Sequence, residues 1–216
     1  LSFPTDIQTD TAVYSMPYGF IQKPADGCEE HAHRWIAVCE ETTGLALLND
    51  SKYSFDVLGT DMRMAIARGC GFADHYGVRD DRMELQDQGE QAFTYVLMPF
   101  KAAGLATVVN RAAVLNQPLP AVPETHHEGV LPVSAEGLRV SAENCVVEAL
   151  KSAEDENGTI LRLYETAGRP TTVKVELAVM GVAFETDLKA QQIKTFFINA
   201  ADKSVTETDF MEWPRS

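Results

Sequence analysis

Two histidines one residue apart, His31 and His33, preceded directly by Glu29 and Glu30, are the nearest approach to a metal-ligand set in this 216-residue chain. Alternate residues of a strand share a face, so both imidazoles could meet one ion, with a carboxylate completing a two-histidine, one-carboxylate site. Neither a third histidine at a telling distance nor an H-E-x-x-H helix accompanies them, and surface histidines beside acids are the plainer reading. His126 and His127 are adjacent, so their side chains diverge. For nucleophilic catalysis there is neither a G-x-S-x-G elbow nor a cysteine in a recognisable setting. Gly69-Cys70-Gly71 begins like a phosphate loop but lacks the lysine and the helical pattern that follow in one. Glu154-Asp155-Glu156 reads as a solvated hairpin tip. Asp74, His75, Asp80 and Asp81, with Gly77, form a loop of the kind that often carries function, against a simpler reading as a solvated loop. The residues contain no autonomous catalytic set.

One further break has chemical potential. Leu45, Ala46, Leu47 and Leu48 read as a strand crossing a packed interior, and the run stops abruptly at Asn49-Asp50-Ser51-Lys52-Tyr53. An Asn-Asp pair at a strand end is first of all turn chemistry. The elements that would hold it are strands. Gln91 to Pro99 (QAFTYVLMP) alternates Phe93, Tyr95 and Leu97 with Thr94, Val96 and Met98, which predicts an interior strand. Similar runs span 35–39, 45–48, 62–67, 145–150, 160–164, 173–179 and 193–198. Turns are predicted at 58–61, 153–158, 167–170 and 200–203; Asn157-Gly158 supplies the positive φ of a tight hairpin joining 144–150 to 159–165. Ala102 to Asn116 carries an apolar stripe at helical spacing, and the proline-rich segment 117–132 reads as an irregular connection. That connection is the best internal boundary, but the strands on its two sides look alike. The fold class expected is mainly β: one large antiparallel β-sandwich domain over 1–216 with one short helix.

Thirty-two acidic and eighteen basic side chains leave a formal charge of -14, which disfavours nucleic acid and anionic membrane surfaces. No apolar run reaches the length of a membrane helix. The chain reads as soluble. Cys28, Cys39, Cys70 and Cys145 have neither C-x-x-C spacing nor a dense framework, so reduced thiols are expected. The chain opens on LSFPTDIQTD, without an initiator methionine, as a piece of something longer would.

The order of several segments resembles one family. LALLNDSKYSFDVLG, DMRMAIARG, DQGEQAFTYVLMPF, NCVVEALKSAEDENGTILRLYET, QQIKTFFI and SVTETDFMEW, with PYGFIQKP and HRWIAV upstream, together resemble the C-terminal β-domain of the family 38 glycoside hydrolases, the α-mannosidases of bacterial type. The resemblance implies a supersandwich-like, galactose-mutarotase-like fold. It also implies retaining, zinc-dependent hydrolysis of α-mannosides by a longer cytoplasmic enzyme. In that family the zinc ligands and the nucleophile belong to an N-terminal domain, so the resemblance implies neither catalytic residues nor a metal in this chain. The implied partners are the enzyme's own N-terminal catalytic and helical domains and a mannose-containing oligosaccharide. It places the Asn49-Asp50 strand end and Arg68 toward the catalytic cleft, as substrate-binding residues. A planar guanidinium suits vicinal hydroxyls or a carboxylate. An equally good reading makes Arg68 the partner of Asp50 or Asp74 in a structural ion pair. Gln91 and Phe100 stand where bacterial relatives commonly have histidine, Ser54 stands in place of a usual glycine, and Gly69-Cys70 in place of a common Ser-Pro. A different function class also fits: a free-standing carbohydrate-binding module in which Trp35, Tyr53, Tyr76 or Trp213 stacks on sugars, although Trp35 and Tyr53 also fit core strands. A third is a structural domain docking a partner through an apolar edge.

Overall fold

The computed structural model describes residues 1–71, 85–102, 104–130, 132–154 and 157–213. The Asp74, His75, Asp80 and Asp81 loop, with Tyr76, and two of the three acids at 154–156 fall outside them. Nine strands come first: β1 (Ser2–Pro4), β2 (Thr11–Met16), β3 (Gly19–Pro24), β4 (Glu30–His31), β5 (Trp35–Cys39), β6 (Thr43–Asn49), β7 (Ser54–Leu58), β8 (Asp61–Met64) and β9 (Tyr95–Lys101). Helix α1 (Leu105–Asn116) follows. Seven more strands complete the described chain: β10 (Arg139–Val140), β11 (Cys145–Ser152), β12 (Gly158–Glu165), β13 (Thr171–Leu177), β14 (Val182–Leu188), β15 (Ile193–Asn199) and β16 (Val205–Thr208).

Packing divides the chain into two compact units where the sequence was read as one domain. The first comprises Leu1–Met16, Ile21–Ala103 and Arg111–Gln117, the second Pro17–Phe20, Gly104–Asn110 and Pro118–Ser216. One boundary lies at the proline-rich connection, in which the described residues carry neither strand nor helix beyond α1.

In the first unit a four-stranded sheet, β1-β8-β7-β4, and a five-stranded sheet, β3-β2-β5-β6-β9, share one core. Period-2 alternation builds it. Phe55, Val57, Met62 and Met64 point inward from β7 and β8, while the intervening Asp56 and Arg63 stand opposite each other in register and form an ion pair on the outer face. Tyr14, Ile36, Val38 and Leu47 answer from the larger sheet. Each fully buried side chain of this size removes apolar surface worth about 1.5–3 kcal/mol from water.

In the second unit β10-β13-β14 and β11-β12-β15-β16 enclose a separate core. Val173, Val175 and Leu177 face inward from β13, and Leu161, Leu163, Phe196 and Ile198 meet them. The hairpin pairing of 144–150 with 159–165 is present as β11 and β12, with an irregularity between Val147 and Ala149. Gly158, however, already belongs to β12 and has no positive φ. It is glycine for a different reason: a Cβ there would stand 2.5 Å from the Ile198 carbonyl oxygen.

The QAFTYVLMP segment is also corrected. Its strand covers Tyr95–Lys101 at the edge of the five-stranded sheet, and Tyr95, Val96 and Leu97 are exposed. Apolar residues on both faces predict an interior strand, but among the described residues β9 pairs with β6 alone and these side chains are exposed. All four cysteines are free thiols. Burial pushes the Cys145 thiol up to about 11, with Glu165 adding to the shift.

Candidate functional site

Asn49 closes β6 and is fully buried. Its Oδ1 accepts the N–H groups of Ser51 (3.0 Å) and Lys52 (2.6 Å), an Asx turn that reverses the chain after the apolar run. The Asn116 side chain, at the end of α1, donates to the Asn49 carbonyl at 3.0 Å. Asn49 Nδ2 is buried with no acceptor among the described residues.

Asp50 is tied across the surface to the segment before β9. Its two carboxylate oxygens accept the Thr94 N–H at 3.0 and 3.1 Å, and Ser51 Oγ donates to Oδ1 at 2.9 Å. The Thr94 N–H, with help from Ser51, holds the Asp50 carboxyl below its usual range. Lys52 Nζ lies 5.2 Å from the centroid of the Phe93 ring and 3.4 Å from Gln91 Oε1. Phe93 in turn stacks on Tyr95 at 6.4 Å. Tyr53, which also fitted a core strand, is instead 57% exposed, whereas Trp35 is buried.

Arg68 lies four residues beyond the end of β8, on an exposed stretch. Its backbone N–H donates to Asp87 Oδ2 at 2.7 Å. Among the described residues its guanidinium forms no ion pair; the Asp50 carboxylate is occupied by Thr94 and Ser51, and Asp74 lies outside them. Asp50 and Arg68 thus share a neighbour: both are fastened to the DQGEQAFTY segment, residues 87–95.

The His31-Ala32-His33 reading meets a different geometry. Only Glu30–His31 is strand, so the two histidines do not share one. Glu30 pairs with Lys23 at 2.6 Å, and the Glu29 carboxylate accepts Ser54 Oγ. Among the described residues no group of three or more His, Cys, Asp and Glu could hold a metal ion. These side chains therefore do not fit a zinc centre.

The profile described as "Glycosyl hydrolases family 38 C-terminal domain" matches residues 1–76, and "Glycosyl hydrolases family 38 C-terminal beta sandwich domain" matches residues 144–214. The chain belongs to the C-terminal region of glycosyl hydrolase family 38. Asn49, Asp50 and Arg68 lie within the first matched range, and the second falls in the second compact unit. The family 38 chain is 33% identical over 180 residues to human alpha-mannosidase 2C1, an alignment covering 78% of this chain and 16% of that protein. It is 24% identical over 219 residues to alpha-mannosidase G of Dictyostelium discoideum, covering 94% and 19%. It therefore spans less than a fifth of these relatives' length. The solved structure of an alpha-mannosidase from Enterococcus faecalis V583 matches it in fold with a TM-score of 0.79 at 18% identity, over 91% of this chain and 25% of the other.

Proposed function

We propose that this family 38 region is the C-terminal part of an α-mannosidase that supports the catalytic domain and lines its cleft. The observation that carries this reading is the pair of family 38 profiles at the two ends of the chain, joined by the 33% identity to an alpha-mannosidase. In this reading the full-length enzyme hydrolyses α-mannosides with retention, through a carboxylate nucleophile and a general acid that reside elsewhere in the polypeptide. Zinc, where the enzyme uses it, is held there too in this reading.

The chain's own residues then have positioning tasks. Arg68 presents an exposed guanidinium toward sugar hydroxyls. Asn49 and Asp50 shape the turn at the end of β6 through bonds to backbone groups rather than to substrate. Strand β9, last in its sheet among the described residues and with Tyr95, Val96 and Leu97 exposed, offers apolar surface that suits docking of the enzyme's other domains. No helix among the described residues is long and apolar enough to cross a membrane; a cytoplasmic location is part of the proposal.

The test compares the full-length protein with the 216-residue chain on an aryl α-mannoside. Turnover by the full-length protein alone, lost on chelation and restored by zinc, is the expected result. Turnover by the 216 residues themselves, or none by the full-length protein, overturns the reading.

A further inference from the structure

Beyond the Asn49 and Arg68 region, the second unit contains a built cleft. After β16 the sequence Asp209-Phe210-Met211-Glu212-Trp213 closes on itself. The Asp209 N–H donates to the Trp213 carbonyl at 2.8 Å, and the Trp213 N–H donates back to Asp209 Oδ1 at 2.8 Å. Glu212 sits at φ 73°, in the left-handed region that non-glycine residues adopt only under local constraint. Arg162, 9% exposed, locks this turn to the sheet. Its Nη2 donates to the Phe210 carbonyl at 2.8 Å, and its guanidinium lies 4.1 Å from the Phe210 ring centroid. Held in this way, Met211 and Trp213 remain 72% and 70% exposed.

The cleft they border has a volume of about 250 Å³, with Ile160 and Phe197 among its apolar lining and Glu154 and Glu212 as its carboxylates. That is below the roughly 300 Å³ at which pockets for drug-sized ligands begin, so a single small ring fits. The charges decide which ring. An exposed indole beside unpaired carboxylates would suit a cation. Here the cations are internal: Lys151 Nζ bridges Glu154 (3.1 Å) and Glu212 (2.9 Å), and Arg162 lies 3.6 Å from Glu212. Among the described residues that line the cleft, both carboxylates face a cation, which leaves a rim without an unpaired charge of its own and rich in donors and acceptors. Hydroxyls, which donate and accept at once, match such a rim, and an indole face covers the apolar C–H side of a pyranose.

We propose that the cleft beside Trp213 binds one neutral pyranosyl residue of a glycan, as a secondary carbohydrate site. The inference stands on these residues and is independent of the α-mannoside reading. It is tested by affinity electrophoresis of the full-length protein in gels containing α-mannan, α-glucan or xylan. At least one polysaccharide should retard the wild type. Trp213→Ala should weaken that retardation about three- to tenfold, the value of one aromatic contact, whereas Trp213→Phe should keep most of it. Hydrolysis of a small aryl α-mannoside should be the same in wild type and Trp213→Ala, so loss of that activity in both would report on the proposed function alone. Glu154→Gln, at a side chain 88% exposed, should weaken retardation without a change in melting temperature, which separates binding from folding. Migration of both Trp213→Ala and Glu154→Gln identical to wild type in all three gels overturns the proposal.

Discussion

Asp50 and Thr94 are joined twice: the Asp50 carboxylate accepts the Thr94 N–H at 3.0 and 3.1 Å, and the Asp50 N–H donates to the Thr94 carbonyl at 3.3 Å. This reciprocal clamp links the end of β6 to the approach of β9. A carboxylate bonded to a backbone donor on a half-exposed surface contributes about 1 kcal/mol, so Asp50→Ala should destabilise by that amount in denaturant melts. The sign with pH follows from the lowered carboxyl. The stabilisation is complete above the unfolded value near 4 and disappears as pH falls through the lower folded value. The stability gap between wild type and variant should therefore shrink below about pH 4; a gap that widens on acidification would contradict the clamp.

A larger effect is expected at Glu165, which is fully buried at the end of β12. Its carboxylate accepts five N–H donors: Asn144 Nδ2 (2.8 Å) and the backbones of Ala167 (2.6 Å), Gly168 (2.8 Å), Arg169 (3.1 Å) and Gln191 (2.9 Å). Replacing one oxygen by an amide NH₂ sets donor against donor. Glu165→Gln should cost about 3 kcal/mol by denaturant titration, and a loss below about 0.5 kcal/mol, the range of ordinary surface substitutions, would show that the carboxylate is not what the turn requires.

What the sequence made legible, and what it hid, follow from which face of a residue carries information. Trp35 to Cys39 and Val173 to Leu177 were readable because burial leaves an apolar run or a clean alternation. Strand β14 (VAFETDL) went unread because Glu185 and Asp187 dilute its pattern. The β9 segment misled because apolar residues on an edge look like those in an interior; periodicity reports the pleat and not the neighbours. At the candidate site, the turn at Asn49 was readable from residue type. The burial of the Asn49 side chain and the clamp of Asp50 to Thr94, 44 residues away, were not, since pairing of that kind is set by tertiary register. Glu165 had no local signal either, because an acid closing the predicted 159–165 strand does not reveal that the backbone N–H groups of 167–169 turn back onto it.

Gly44 offers a packing test. It pairs in register with Phe100 on one side and Cys39 on the other. A Cβ at this position would lie 2.5 Å from the Phe100 ring and 3.1 Å from Cys39 Sγ. Phe100 thus lies against the bare glycine. Gly44→Ala should destabilise by about 1–3 kcal/mol through overpacking. Adding Phe100→Leu should recover part of that loss, so a thermal-melt double-mutant cycle should show coupling between the two changes; strict additivity would remove Phe100 from the explanation.

Arg68 separates the two readings of its own role. If it serves the substrate, an exposed guanidinium without an ion pair among the described residues contributes little to folding. Arg68→Ala in the full-length enzyme should then leave stability within about 0.5 kcal/mol of wild type. The same change should lower kcat/KM for α-mannosides tenfold or more, since a tenfold loss corresponds to about 1.4 kcal/mol of transition-state binding. Arg68→Lys, which keeps the charge but not the planar fork, should recover only part of that activity. If Arg68 instead completes a structural pair with Asp74, the pattern inverts: melting temperature falls, kcat/KM on the surviving folded enzyme is unchanged, and Asp74→Ala reproduces the stability loss. Measuring both quantities on the same preparations decides between wall of a cleft and strut of a loop.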